Sequence, residues 1–380
     1  MDRLVRLPDG RLSALELMTL SLASYPSLEA LPSSAQAILD GPGSQDLFAS
    51  RPWFETFVSG GLSAGARPIF FVLEDEAGRA QALLPCQGAG AESGLGHPAV
   101  ASLTSFYSCD FRPLIAPALD PDATAFALGR ALAMRLAREP VIRIDSLDST
   151  LGTLGPLLDG LKRPGRALLR YEHFGRWWEP LEGIGFDAYL AARDGALREV
   201  VRRKGNRLAR ENGSLTLVAS DEVEKGIADY EAVYARSWKE PEPFPDFQPM
   251  LMRALARAGW LRLAICAVEG RPIAAQLWVV VAGRATVLKL AHDKAFDRLS
   301  PGTLLTSFAI RALMERDRIT ALDFGRGDDP YKRSWTTRRT PHIGVLWTSL
   351  VRRPIMAGRH LLGELFRRRG RGSSDGERAS

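Results

Sequence analysis

The sequence predicts an α+β protein built from two copies of one arrangement of strands and helices. Short apolar runs between turn residues indicate antiparallel strands, and longer runs with apolar residues three and four positions apart indicate helices. The order hairpin, strand, helix, strand occurs twice along the chain. With 380 residues, of which 46% are hydrophobic and 25% charged, the composition is that of a soluble globular protein of about two domains.

The second half shows the arrangement most clearly. Three apolar runs separated by glycine-containing turns predict an antiparallel meander over 260–268, 272–281 and 285–292. Apolar residues at helical spacing then predict a helix over 300–317. Further strands are predicted over 319–325 and 342–351.

The first half repeats this order with little sequence identity. The predicted elements are a hairpin of 68–75 and 80–86, a strand-like run at 105–117, a helix at 122–138 and a strand at 141–147. Helices over 187–212, 227–240 and 248–259 connect the two copies. We therefore predict an N-terminal extension, partly loop, at 1–43, a first domain at 44–180, a second domain at 181–351 and a basic tail at 352–380.

Composition and charge exclude several classes of protein. Three widely spaced cysteines, Cys86, Cys109 and Cys266, argue against a disulfide framework or a cysteine zinc site. The sequence shows neither a signal peptide nor an apolar run of about 18 residues, so a cytoplasmic protein is expected. The net charge is +6, and an excess of five positive charges follows Val351. The body is thus nearly neutral, and no nucleic-acid partner is expected.

Residues at the start of the 300–317 helix are suited to binding a phosphate. Ser300 is a good N-cap, Pro301 suits the first helical position, and Gly302 has no side chain to block a ligand. Thr303 adds a hydroxyl. Free N–H groups and the positive end of the helix dipole favour a phosphate at such a helix start. An ordinary helix cap explains the same residues equally well.

The corresponding helix of the first copy begins differently. It starts Asp120-Pro121-Asp122, so two carboxylates stand where a phosphate would dock. They stabilise the helix end but repel an anion. If one copy binds a phosphorylated ligand, we expect it to be the second.

The run LDFGRGDDPYKRSW, 322–335, places polar and aromatic residues after a predicted strand. Asp329 before Pro330 predicts a short helix with Tyr331 and Lys332 in its first turn. A tyrosine phenol, with an ordinary pKa of about 10, can protonate a departing thiolate. The alternative is that Tyr331 and Trp335 are core aromatics.

The stretch from AHDKAFDRLSPGTLL through the helix to ITALDFGRGDDPYKRSW resembles the GNAT-type acyltransferases of the CelD/BcsL-like group. That group is similar to the Fem-type transferases, which carry two GNAT domains in tandem. The resemblance covers about 190–340 and extends to the first half only through the order of its elements. It implies tandem GNAT-like domains, each a mixed, mostly antiparallel sheet flanked by helices.

The resemblance also implies acyl transfer from acetyl-CoA or another acyl-CoA to an amine, without a metal. The CoA would contact Lys289 and Leu290 on the last meander strand and Arg298, Leu299, Ser300, Gly302 and Thr303 around the helix start. The usual Q/R-x-x-G-x-G/A pyrophosphate loop of the family is absent, and Arg298 to Gly302 stand in its place. The Arg202-Arg203-Lys204 cluster could hold another phosphate or form a solvated face.

The remaining site residues are assigned to the reaction and to the acceptor. Tyr331 is the expected general acid, and His292 and Asp323 are candidates for the general base. Trp238, Asp293, Lys332 and Trp335 are expected to bind the acceptor, a small or lipid-linked amine such as an amino sugar of envelope polysaccharide.

Two other functions remain open from the sequence. One is Fem-like transfer from aminoacyl-tRNA, although a near-neutral body is unusual for an RNA partner. The other is a non-catalytic binding module. The tail places Ile355, Leu362, Leu365 and Phe366 near one helical face beside arginines, so weak contact with an anionic inner membrane is a further expectation, against the alternative that this helix packs on the domain.

Overall fold

A computed structural model describes residues 20–41, 45–89 and 98–352. Within them, thirteen strands form one mixed sheet. The strands are β1 (Ser21–Tyr25), β2 (Arg67–Glu74), β3 (Ala80–Gly88), β4 (Val100–Ser102), β5 (Leu114–Ile115), β6 (Val141–Asp148), β7 (Arg166–Pro180), β8 (Gly213–Leu217), β9 (Leu261–Val268), β10 (Arg271–Val281), β11 (Arg284–His292), β12 (Ala321–Arg326) and β13 (Arg338–Ser349).

Helices lie along the sheet. They are α1 (Ser33–Asp40), α2 (Arg51–Gly60), α3 (Pro121–Arg135), α4 (Leu154–Gly160), α5 (Phe186–Ala191), α6 (Gly195–Arg210), α7 (Val223–Ala235), α8 (Phe247–Arg257), α9 (Pro301–Arg316) and α10 (Pro330–Trp335). In the described ranges, no helix is long and apolar enough to cross a membrane.

The sheet contains the predicted duplication. Its strand order is β1-β2-β3-β4-β6-β13-β7-β12-β11-β10-β9-β8, with β5 beside β3. In each half a parallel pair is joined through a helix: β4 pairs with β6 across α3, and β11 pairs with β12 across α9. The α+β class and the tandem arrangement are therefore confirmed.

The two halves exchange strands at the centre of the sheet. β7 pairs with β12 of the second half, whereas β13, the last strand, pairs with β6 of the first half. β7 and β13 also pair with each other from Arg166 to Trp178, so the halves form a continuous surface. The structure does not test the domain boundary expected at 180, because β7, which precedes it, pairs with a strand of the second half, and β13, which follows it, pairs with a strand of the first half. The boundary stays a prediction.

Some sequence expectations for the first half need correction. The strand-like run at 105–117 is mostly irregular, because Ser105 and Ser108 bond to nearby backbone N–H groups and form a local turn. The extension at 1–43 was expected to be partly loop, but it contributes β1 to the sheet and α1 to an apolar core. The predicted tail and its membrane contact lie, apart from Arg352, outside the described residues.

A buried ion cluster joins the halves. Arg176 on β7 donates to Asp323 of β12 and to Asp110 of the first half, the latter at 2.8 Å. The exposed fraction of Asp323 is 0% and that of Arg176 is 8%. Burial raises the pKa of Asp323, but Arg176, Arg284 and the N–H of Gly325 together lower it by more, so the net pKa lies below the usual value. Arg176 and the two carboxylates are therefore charged at neutral pH.

We expect Arg176→Met to lower the free energy of unfolding by about 3–5 kcal/mol, because two buried carboxylates lose their cation. Urea unfolding measures the change. Arg202→Met is the control, since Arg202 and Glu199 form an exposed pair on α6 that should contribute little. Equal effects of the two substitutions would contradict a structural role for the cluster.

Candidate active site

The site begins where β11 and β12 separate. They pair in parallel only from Arg284–Ala321 to Thr286–Asp323. Beyond these pairs, 287–292 of β11 faces 324–326 of β12 across a gap. β11 also carries a bulge at Leu288, the extra residue opposite Leu277 and Trp278 of β10. Bulges of this kind re-aim backbone groups next to active sites.

Asp323 turns β12 away from β11. Its Oδ1 accepts a hydrogen bond from the N–H of Gly325 at 2.8 Å, and Gly325 has a φ of 65°. Gly327 follows with a φ of 103°. These left-handed conformations favour glycine, so the GRG sequence is what allows the strand to leave the sheet at this point.

The gap opens into a cleft of about 1290 Å³ shared by both halves. The second half contributes β11, the start of α9 and the segment from Phe324 to Lys332, and the first half contributes Trp53, Phe106, Tyr107 and Cys109. Five cationic side chains and three carboxylates line it: Lys239, Lys289, Lys294, Arg326 and Lys332, and Asp297, Asp328 and Asp329. The excess of cations suits an anionic ligand.

The start of α9 lies at one end of the cleft. Ser300, Gly302 and Thr303 line the wall. Pro301 occupies the first helical position as expected, but Ser300 does not act as a side-chain cap. Ser300 adopts a left-handed conformation, φ 51° and ψ 50°, and its hydroxyl bonds to no first-turn N–H. The N–H groups at this end are therefore available to a ligand.

His292 lies beside this helix start. Its Nε2 is 2.7 Å from Oδ1 of Asp297, and its ring is 4.6 Å from that of Trp238. A Cβ placed on Gly302 would be 3.5 Å from Nδ1 of the imidazole. The structure thus brings together His292, Trp238 and the α9 start.

Tyr331 faces the same helix start from α10. Its hydroxyl lies 2.6 Å from Oγ1 of Thr306 and 3.4 Å from the carbonyl oxygen of Gly302. The side-chain amide of Gln276 donates to Thr306 Oγ1 at 2.7 Å, and the indole N–H of Trp278 donates to Oε1 of Gln276 at 2.9 Å. Burial raises the pKa of Tyr331 to about 12, so the phenol carries its proton at neutral pH. As expected, the Asp329 side chain caps α10, accepting from the N–H of Tyr331 at 2.8 Å.

Glu242 positions two residues that line the cleft, Lys289 and Tyr107. It accepts hydrogen bonds from Lys289 at 2.5 Å, Tyr107 at 2.5 Å and Tyr234 at 2.7 Å. Burial raises the pKa of Glu242, but the three donors together lower it by more, so the net pKa lies below the usual value. Glu242 is therefore a paired anion that positions Lys289 and Tyr107, and it is a poor base at neutral pH.

Five residues expected in the site lie outside the cleft lining. Asp323 is fully buried with Arg176, so it is not placed to act as a base. Asp293 pairs with Arg236 and Arg271 and caps the turn before α9. Trp335 and Leu299 are 0% exposed within the apolar core, and Arg298 is bound to Glu211. These residues lie near the cleft in sequence, but ion pairs or core packing hold their side chains away from it.

Other expected residues do line the cleft. They are Trp238, Lys289, Leu290, His292, Ser300, Gly302, Thr303, Tyr331 and Lys332. Lys332 donates to the carbonyl oxygen of Arg326, and its burial lowers its pKa. In the Arg202-Arg203-Lys204 cluster, Lys204 donates to the carbonyl of Arg298 and braces the turn before α9.

Sequence reasoning missed the first-half wall and the α7–α8 connection. The sequence predicts a strand-like run through Tyr107 and Cys109 and helices through Lys239 and Gln248, and it indicates no role in the site for these residues or for Glu242. The proline-rich run around Glu242, EPEPFPDF, is the one sequence signal that could have indicated an ordered loop over a site.

The corresponding gap of the first half is closed by the protein itself. β4 pairs with β6 at Val100 and Ala101, and Phe111 then forms a parallel bridge to Leu147 in the place a ligand would occupy. Asp120 caps α3 by accepting from Ala123 at 2.8 Å, so a carboxylate covers that helix start. Of the two gaps, only the second remains open in the described structure.

A family model described as an acetyltransferase (GNAT) domain matches residues 195–333. This stretch is similar to a GNAT domain. It contains the open gap, the start of α9 and Tyr331, whereas the first half lies outside the match. A search of curated proteins gives no match to the chain.

Solved structures resemble the chain over most of its length. The crystal structure of FemX aligns with a TM-score of 0.58 at 13% identity, covering 88% of this chain and 98% of FemX. The C-terminal domain of a putative lysylphosphatidylglycerol synthetase from Agrobacterium fabrum aligns at 0.52 and 12% identity, covering 83% and 90%. A tandem GNAT protein from the clavulanic acid biosynthesis pathway aligns at 0.50 and 10% identity, covering 86% and 98%. At these identities the likeness establishes a shared fold.

We expect Gly302→Glu to abolish the rise in thermal midpoint that CoA produces in the wild type. A ligand that binds only the folded state stabilises it, by roughly 2.7 kcal/mol at 100 times Kd. The new carboxylate repels a phosphate at the α9 start, while the added Cβ lies at an ordinary contact distance, 3.5 Å, from Nδ1 of His292. Thermal unfolding with and without CoA provides the measurement.

Ala123→Glu, in the first turn of α3, is the matched control and should leave the CoA-induced rise unchanged. A rise that persists in Gly302→Glu would exclude this helix start as the phosphate site.

Proposed function

We propose that the chain is an N-acyltransferase that moves an acyl group from acyl-CoA to an amine. One observation carries the proposal: β11 and β12 diverge after three residue pairs, with a bulge on one side, an uncovered helix start at the end and a protonated tyrosine facing that helix start. A GNAT domain model matching 195–333 agrees with it.

The cleft offers groups for each part of an acyl-CoA. N–H groups of Gly302 and Thr303 at the α9 start suit the pyrophosphate. The pantetheine arm can lie along 287–292, where the edge of β11 that faces β12 has no partner strand in the described structure. N–H groups near the Leu288 bulge are then available to polarise the thioester carbonyl.

In the reaction we propose, the acceptor nitrogen attacks the thioester carbonyl carbon and the C–S bond breaks. The Tyr331 phenol donates its proton to the departing sulfur, and the amine loses a proton to a base. For Tyr331 to point its O–H toward the cleft, Thr306 must donate to the phenol oxygen. The carbonyl oxygen of Gly302, 3.0 Å from Thr306 Oγ1, is the competing acceptor for this proton, and Gln276 donates to that carbonyl as well as to Thr306.

His292 is the candidate base that the cleft retains. It lies on the wall next to Asp297, which can orient its ring, and an imidazole exchanges protons near neutral pH. Burial against Arg176 removes the other sequence candidate, Asp323, from consideration.

The acceptor we propose is a small or lipid-linked amine, such as an amino sugar used in envelope polysaccharide. The resemblance to the CelD/BcsL-like group supports this choice. We also propose a cytoplasmic enzyme whose tail, 352–380, touches the inner membrane. A Fem-like transfer from aminoacyl-tRNA is the second candidate, favoured by the fold shared with FemX over 88% of this chain.

We expect Tyr331→Phe to lower kcat by about 10²–10⁴-fold, the usual contribution of a positioned acid, with CoA binding retained. The assay follows release of the CoA thiol from acetyl-CoA with a panel of amino sugars. Tyr25→Phe, which removes a phenol from the β1 edge strand, should keep wild-type turnover.

Full activity in Tyr331→Phe would show that Tyr331 contributes to packing and is not the general acid. Transfer from aminoacyl-tRNA, with no binding of CoA, would favour the second candidate instead.

A further inference from the structure

The end of the cleft formed with the first half is apolar. We call it the inner end and define it by Trp53, Tyr107, Cys109, Phe247, Gln248 and Leu251, all of which line the cleft. Five of the six belong to one apolar cluster, and the sixth, Gln248, is next to Phe247 on α8. The inner end thus differs from the charged end at the α9 start.

Aromatic contacts make this wall rigid. The rings of Tyr107 and Phe247 stack at 4.5 Å with an interplanar angle of 5°, and Trp53 meets Phe247 edge-on at 5.8 Å. Tyr107 is also held by Glu242. The six side chains are 0–6% exposed, so an apolar group that enters this end is removed from water.

The inner end is continuous with the gap between the strands. Leu288, at the bulge of β11, packs against the same apolar cluster. A Cβ placed on Gly325 would lie 3.0 Å from Sγ of Cys109, so the first-half loop touches β12 where it leaves the sheet. A thioester held at the bulge therefore has the inner end directly beside it.

The chemistry of the inner end does not suit an amine acceptor. None of the described residues that define it is acidic, and the nearby Glu242 is already paired with Lys289, Tyr107 and Tyr234. The carboxylates that line the cleft lie elsewhere, at Asp297, Asp328 and Asp329. A cationic amine would lose its hydration there without gaining a counterion.

Gln248 supplies the one side-chain amide of this wall. Its side chain is 3% exposed, and its Oε1 is buried with no hydrogen-bond partner among the described residues. Buried amides are ordinarily hydrogen-bonded. An amide oxygen without a partner beside a cleft can accept a hydrogen bond from a hydroxyl of a ligand.

We propose that the inner end binds the acyl chain of the thioester, and that this chain is apolar, longer than acetyl and hydrogen-bonded to Gln248 through a hydroxyl. This inference rests on the proposed acyl-CoA function and specifies its substrate class. The charged end holds the CoA, the bulge holds the thioester, and the aromatic wall selects the chain.

Calorimetric titration of the wild-type protein with CoA, acetyl-CoA and octanoyl-CoA tests the chain length. Each buried methylene contributes about fourfold in affinity, so burial of two or three of the six additional methylenes makes octanoyl-CoA bind about 10–100-fold more tightly than acetyl-CoA. Free CoA should displace it, because both use the α9 start.

Gln248→Leu tests the polar contact with little risk to folding, because it replaces an amide whose buried oxygen has no partner with an apolar side chain of similar size. In the wild type, 3-hydroxyoctanoyl-CoA or 8-hydroxyoctanoyl-CoA should bind about 2–10-fold more tightly than octanoyl-CoA, the effect of one added hydrogen bond. In Gln248→Leu this difference should disappear while octanoyl-CoA still binds.

Three results overturn the inference. Equal affinity for acetyl-CoA and octanoyl-CoA removes the acyl-chain assignment but leaves the proposed transferase function intact. Binding of octylamine in competition with octanoyl-CoA but not with CoA assigns the inner end to the acceptor. Absence of binding by any CoA compound rejects both the inference and the proposed function.

Discussion

The arrangement of the cleft depends on the buried guanidinium of Arg176. It bonds to Asp323, the last residue of β12 paired with β11, and Asp323 in turn holds Gly325 where the strand turns away. The same guanidinium holds Asp110, in the first-half loop that supplies Tyr107 and Cys109. One cation therefore fixes both the opening between the strands and the wall that faces it.

Duplication gives the chain two such openings, and side chains decide which of them can accept a ligand. In the first half, Phe111 bridges to β6 and Asp120 covers the helix start. In the second half, Ser300 leaves the helix start uncapped, and the glycines after Asp323 carry the strand away. The closed copy has become a scaffold, because its loop and α2 form part of the wall for the open one.

Local patterns predicted the elements that local chemistry determines. The meander, α9, β12 and the capped α10 lie where turn residues, helix caps and periodicity indicated. The pairing of β7 with β12 and the burial of Asp323 could not be predicted, because Arg176 lies 147 residues away in sequence. For the same reason the sequence placed Asp293 and Trp335 in the site, although ion pairs and core packing draw their side chains out of it.

The central claim is that acyl-CoA lies between β11 and β12 and not in the equivalent opening of the first half. Hydrogen–deuterium exchange with and without acetyl-CoA tests it most directly, because both openings are read in one experiment. Slower exchange at 287–292 and 300–306, with unchanged exchange at 100–102 and 121–126, is the predicted result. Protection of the first-half segments, or of neither pair, would contradict the claim.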